Sequence, residues 1–152
     1  MALNILPSTI IIRTSWVFSS FGNNFVKTMI RLLSEKESIN VVHDQQGCPT
    51  YAADLAKAIM EFVQKDNESL RGIYNFCNNG VITWYDFATA IKQVANKSCL
   101  INPIPSSQFP TPARRPNYSV LNTTKIMEAL HISIPGWEDA LRRCISLLKT
   151  HN

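Results

Sequence analysis

Thr9-Ile10-Ile11-Ile12-Arg13-Thr14-Ser15-Trp16-Val17-Phe18 opens on a run of β-branched apolar residues with no polar alternation. Alternation marks a strand with one wet face, whereas an unbroken apolar run marks a strand covered on both faces, as in a parallel sheet. A strand at 9–13 of that kind requires covering helices, and the flanking sequence supplies them. Asn23 and Asn24 offer N-cap oxygens to a segment with Phe25, Met29, Leu32 and Leu33 at helical spacing, ending near Glu37.

The same alternation continues along the chain. Ile39 to His43 reads as a second strand, followed by the turn-rich Gln45-Gln46-Gly47-Cys48-Pro49-Thr50 and an amphipathic helix from Tyr51 to Val63. Gly72 punctuates before a third strand, Ile73 to Phe76. Thr83 and Asp86 then stand at capping-box spacing ahead of a helix to about Ala95. Five prolines between 103 and 116 exclude a helix interior or a central strand, so that stretch is expected to be a structured loop or a linker. Two helices should close the chain, Thr123 to about Leu130 and Trp137 to about Lys149, the second with Leu141, Ile145 and Leu148 on one stripe.

Strands alternating with helices define an α/β layer architecture, with the Pro-rich segment and its helical tail forming an additional small lobe. The first strand begins near residue 9 with no glycine-bearing βα turn before it, so the chain reads as the second half of a doubly wound protein.

Composition agrees with one globular domain: 152 residues, 45% hydrophobic, 17% charged. The formal net charge of +4 favours anionic ligands without indicating nucleic acid. No apolar run reaches the roughly 18 residues of a membrane span. No charged leader with a small-residue cleavage site is visible, which makes the cytoplasm the expected location. Cys48, Cys77, Cys99 and Cys144 form no Cys-x-x-Cys pair and are expected to be reduced, structural thiols.

The glycines are too widely spaced for a dinucleotide fingerprint or a phosphate loop, and no tyrosine is followed four positions later by lysine. His43, His131 and His151 are scattered, and no Gly-x-Ser-x-Gly elbow occurs, so neither a metal helix nor a serine hydrolase is indicated. Trp16 lies at the carboxyl end of the first strand, the edge at which open α/β sheets bind ligands. Its indole can stack on a sugar or base, or fill the core. Asn23 and Asn24 suit a ligand at the helix start or plain capping. Arg114-Arg115 within the Pro-rich loop suits a bidentate diphosphate contact or a solvated surface.

Taken together, RTSWVF at 13–18, GNNFVKTM at 22–29, DQQGCPT at 44–50, GIYNF at 72–76, TWYDFA at 83–88 and FPTPARRPNYSVLNTTK at 109–125 resemble the carboxyl-terminal half of the dTDP-4-dehydrorhamnose reductase family. These are extended short-chain dehydrogenases/reductases of deoxysugar biosynthesis. The resemblance implies that residues 1–152 are a substrate-binding portion of a Rossmann-like protein with a small substrate-binding lobe. The cofactor-binding half and its catalytic Tyr-x-x-x-Lys would lie elsewhere, leaving this portion inactive alone. It implies reduction of dTDP-4-dehydro-L-rhamnose to dTDP-L-rhamnose with NADPH or NADH, for polysaccharide assembly.

By matching motif, Trp16 would pack on the deoxysugar nucleotide. Asn23, Asn24, Phe25, Pro49, Thr50 and Arg115 would border the nucleotide pocket, and Thr14 and Ser15 would lie on the nicotinamide side. Phe18 replaces the family's usual tyrosine, and Cys48 falls at a variable position. No ligand set matches the magnesium site of some members. Two other outcomes share these motifs: a reductase-like regulatory module such as that of methionine adenosyltransferase, and a related dTDP-hexulose reductase or epimerase. A half-protein of this kind should also expose apolar surface and self-associate.

Overall fold

The computed structural model describes residues 5, 6, 8–65, 69–113 and 115–150. In chain order the elements are β1 (Ile10–Arg13), β2 (Val17–Phe18), α1 (Phe25–Glu35), β3 (Ser38–Val42), β4 (Gln46–Gly47), β5 (Thr50–Tyr51), α2 (Ala52–Lys65), β6 (Gly72–Asn75), β7 (Ile82–Thr83), α3 (Trp84–Val94), β8 (Leu100–Ile104), a 3-10 turn (Ser106–Gln108), α4 (Thr124–Leu130) and α5 (Trp137–Thr150). The expected α/β alternation is therefore present.

Strands pair in twos: β1 with β6, β2 with β5 and β3 with β8, all parallel, and β4 with β7 antiparallel. β1 is parallel as its composition requires, but it is not covered on both faces. Ile10 is exposed, Ile11 and Ile12 are half-buried, and Ile12 packs only against the cluster beneath α2 and α4. β8 is a strand that the prolines conceal. It carries Pro103 opposite Val41, and this edge position spares the ring from needing an N–H on its outer side. The two-residue strands are too short to leave any periodicity.

Among the described residues two apolar clusters hold the fold. The first joins α1, α3 and α5 to β3 and β8 through Val26, Met29, Leu33, Phe87, Ile91, Leu141 and Ile145. Burying a ring as fully as Phe87 is worth about 2–3 kcal/mol. The second joins β6, α2 and α4 through Ala58, Phe62, Tyr74, Ile126 and Leu130. The two closing helices thus part company, α4 to the second cluster and α5 to the first.

Helix ends follow local chemistry. Asn24, rather than Asn23, caps α1, its Oδ1 accepting from the Lys27 N–H at 3.3 Å. Thr83 and Asp86 make the expected capping box at α3, with Asp86 N–H donating to Thr83 Oγ1 at 3.1 Å and Thr83 N–H to Asp86 Oδ2 at 2.9 Å.

At the seam between the clusters sits fully buried Asn78. Its Oδ1 accepts from the Tyr51 N–H at 2.7 Å, and its Nδ2 donates to Asp54 Oδ2 at 2.8 Å and to the Pro135 carbonyl at 3.2 Å. Arg143 of α5 then grips Asp54 of α2 with both terminal guanidinium nitrogens, at 2.8 and 2.6 Å. No helix among the described residues is long and apolar enough to cross a membrane.

Candidate nucleotide-sugar site

The Pro-rich segment is an anchored strap. At one end Asp44 accepts the Ser106 N–H at 3.0 Å and the Ser106 hydroxyl at 2.9 Å. The Ser106 N–H foremost, and then its hydroxyl, hold the Asp44 carboxyl below its ordinary pKa. At the other end the Gln46 N–H donates to the Asn117 carbonyl at 2.7 Å and the Ser119 N–H returns to the Gln46 carbonyl at 2.9 Å. Both anchors grip the loop around β4, so residues 109–113 and 115–116 arch between them.

Beneath the arch is a cavity of about 490 Å³. Phe25, Thr28, Met29 and Leu32 of α1 form one wall, and Asn40, Val41 and Val42 of β3 with Gln45 form another. Trp84 closes one end, while Phe109, Thr111 and Arg115 come from the strap. Arg115 and Phe109 are exposed at the rim. The size suits a small-molecule ligand, and the lining is apolar with a few polar groups, as ligand sites require.

Next to this cavity the chain leaves β1 through a strained turn. Trp16 has φ +47°, a left-handed conformation that a bulky side chain seldom adopts. The turn is held by Thr50 N–H donating to the Trp16 carbonyl at 3.2 Å, by the Thr14 hydroxyl donating to Thr50 Oγ1 at 2.9 Å, and by the Ser15 hydroxyl donating to the Cys48 carbonyl at 2.7 Å. The half-buried Trp16 indole stacks on Trp84 with ring centres 3.6 Å apart and planes 13° apart. Trp84 in turn meets Phe25 at 4.7 Å. Three rings therefore run in a row, of which Trp84 and Phe25 line the cavity.

The residues expected at the site divide accordingly. Phe25 and Arg115 meet at the cavity, and exposed Asn23 stands at the start of α1. Asn24 is committed to the chain: besides capping α1, its Nδ2 donates to the Ser19 carbonyl at 2.8 Å. Thr14, Ser15, Trp16, Pro49 and Thr50 are brought together in the adjoining turn, with Pro49 and Thr50 fully buried. Arg114 lies outside the described residues, as does His151.

Cys48 and Cys77 also meet in this turn region, although far apart in sequence. All four cysteines are free and buried. The Cys77 thiol donates to the Leu121 carbonyl at 3.9 Å, and the interaction between the two thiols lowers the Cys48 pKa and raises that of Cys77. Burial pushes Cys144 up to about 11.

Trp84 and Phe109 were missed as site residues by sequence reading. Trp84 reads as the first residue of a capped helix, and only its place in TWYDFA hinted at more. Phe109 reads as one apolar residue in a proline run, because nothing local says that the run closes back over α1.

Parallel strand pairs packed with helices, and a cavity under a strap, fit one class: the carboxyl-terminal part of a Rossmann-like extended short-chain dehydrogenase/reductase. The family described as RmlD substrate binding domain matches residues 2–150, and the chain belongs to it. It is 40% identical over 151 residues to a dTDP-4-dehydrorhamnose reductase of Aggregatibacter actinomycetemcomitans, covering 93% of this chain and 51% of that protein. A reductase of the same description from Escherichia coli K12 is 37% identical over 149 residues, covering 93% and 50%. The crystal structure of the Bacillus anthracis dTDP-4-dehydrorhamnose reductase in complex with NADP superposes with a TM-score of 0.85 at 40% identity, covering 91% of this chain and 48% of that one. The chain thus spans about half the length of the curated relatives it matches.

Proposed function

We propose that the cavity under the strap binds the nucleotide end of a dTDP-sugar, and that the chain is the substrate-binding part of a reductase acting on dTDP-4-dehydro-L-rhamnose. The observation that carries this reading is the joining of Phe25, Trp84 and Phe109 with Arg115 around one cavity. Aromatic faces accept a planar base by stacking, and a guanidinium meets a diphosphate with paired hydrogen bonds that lysine cannot match. The naming of the relatives as dTDP-4-dehydrorhamnose reductases supports the same substrate.

Reduction of a 4-keto group needs a hydride and a proton. NADPH or NADH supplies the hydride when bound. The residues of this chain fit the border of such a cofactor rather than its cradle: the sequence has no glycine-rich loop, and the Thr14 and Ser15 hydroxyls already donate within the turn. Nor does it contain Tyr-x-x-x-Lys to protonate the alkoxide. Its own residues bind and orient: Arg115 and the aromatic walls grip the nucleotide, Asn23 edges the pocket, and the Trp16 turn, backed by Asn24, Pro49 and Thr50, directs the sugar toward Thr14 and Ser15. The reaction takes place in the cytoplasm, and this chain alone does not oxidise NADPH.

Titration of the chain with dTDP, followed by tryptophan fluorescence, tests the reading. Saturable binding is expected. Arg115→Ala should weaken it about tenfold or more, the cost of a charged hydrogen-bonded contact, while leaving the weaker binding of thymidine unchanged. A flat titration with dTDP overturns the proposal.

A further inference from the structure

Gly47 has no ordinary need to be glycine for its backbone, yet a methyl group on it would collide. An added Cβ would stand 2.5 Å from Trp16 Cε2, 2.7 Å from Trp16 Cζ2 and 2.8 Å from Ser119 Oγ. Ser119 carries a small rotatable hydroxyl and can turn away. Trp16 cannot, because its indole is stacked on Trp84 and its backbone is held in the left-handed turn. Gly47 is also paired with Ile82 in the β4–β7 ribbon, one residue before Thr83 and two before Trp84, so one short ribbon ties Gly47 to the start of the helix that carries Trp84.

We propose that Gly47 is the positioning residue of the site: by leaving room for the Trp16 indole it sets the Trp16–Trp84 stack, and thereby the end wall on which the ligand's planar base rests. Trp84 is the wall itself, and Trp16 is its buttress. The inference rests on the nucleotide-sugar reading of the cavity, but its structural half is testable without ligand.

The chain is labelled with 5-fluorotryptophan, and the three fluorine resonances are assigned by single Trp→Phe variants. Stacked rings shift one another's resonances, so Gly47→Ala should move those of Trp16 and Trp84 and leave that of Trp137 in place. The same variant should weaken dTDP binding about tenfold. In a Trp16→Ala background, Gly47→Ala should change dTDP affinity less than twofold, since the colliding ring is gone.

Unmoved Trp16 and Trp84 resonances, or equal losses of affinity in both backgrounds, overturn the proposal. If Gly47→Ala alone does not fold, the Gly47→Ala/Trp16→Ala pair should; failure of that pair to fold also overturns it. If the unsubstituted chain does not bind dTDP, the nucleotide-sugar reading fails, and the resonance shifts alone decide whether Gly47 sets the stack.

Discussion

Asp54 shows how a single buried carboxylate can serve the fold rather than the chemistry. Its side chain is 4% exposed, and it receives Arg143 twice and Asn78 once. Burial on its own would raise its pKa, but the bonds from Arg143 and Asn78 outweigh burial and lower it. A carboxyl whose folded pKa lies below its unfolded value of about 3.9 stabilises the fold above that value, and the contribution disappears as pH falls through the folded value. Asp54→Asn should therefore cost roughly 3 kcal/mol at neutral pH, the low end for breaking a buried pair, because Arg143 keeps Asp139 as a partner. Its thermal stability should also fall less steeply in acid than that of the unsubstituted chain, and thermal melts from pH 7 to pH 2, measured by circular dichroism, check both slopes. None of this was legible in the sequence. Asp54 reads as a first-turn acid favoured by the helix dipole, and its partners Asn78 and Arg143 lie in other elements with no local pattern to join them.

At the scale of elements, what could be read was what repeats or caps. α1, α2, α3 and α5 follow from helical spacing, and α3 also from Thr83 and Asp86, whose reciprocal bonds are present. What could not be read were β2, β4, β5 and β7, two residues each, whose pairing depends on partners brought in by the fold. The strap was half legible: prolines announce a loop, but not that Asp44 and Gln46 pin it over a cavity. The capping box matters to the site because Trp84 is the first residue of α3. Thr83→Ala should cost about 1 kcal/mol, a fall of about 3 °C in Tm for a domain of this size. It should also weaken dTDP binding, since the first turn that holds Trp84 frays. Asp86→Ala, which removes the other half of the box, should behave alike, and a calorimetric melt and a titration on each variant test the pair.

For the whole molecule, two apolar clusters joined at one polar seam leave considerable apolar surface outside. On α2, Ile59, Met60 and Val63 share one face and are 43%, 50% and 63% exposed, and Ile10 on β1 is 36% exposed. Among the described residues β1 pairs on one side only, with β6, which leaves a row of backbone groups open. Apolar side chains grouped on a helix face, unlike the same residues scattered singly, favour contact between copies. We therefore expect the chain to self-associate through the outer face of α2, to an extent that rises with protein concentration by mass action. Light scattering over a wide concentration range should give an average mass climbing above that of one chain, and Ile59→Lys with Val63→Lys should hold it at one chain. Both positions point away from the Ala58 and Phe62 side that packs on the core, so the double variant should melt within about 0.5 kcal/mol of the parent. A mass fixed at one chain throughout, or association that ignores both lysines, removes that face as the contact.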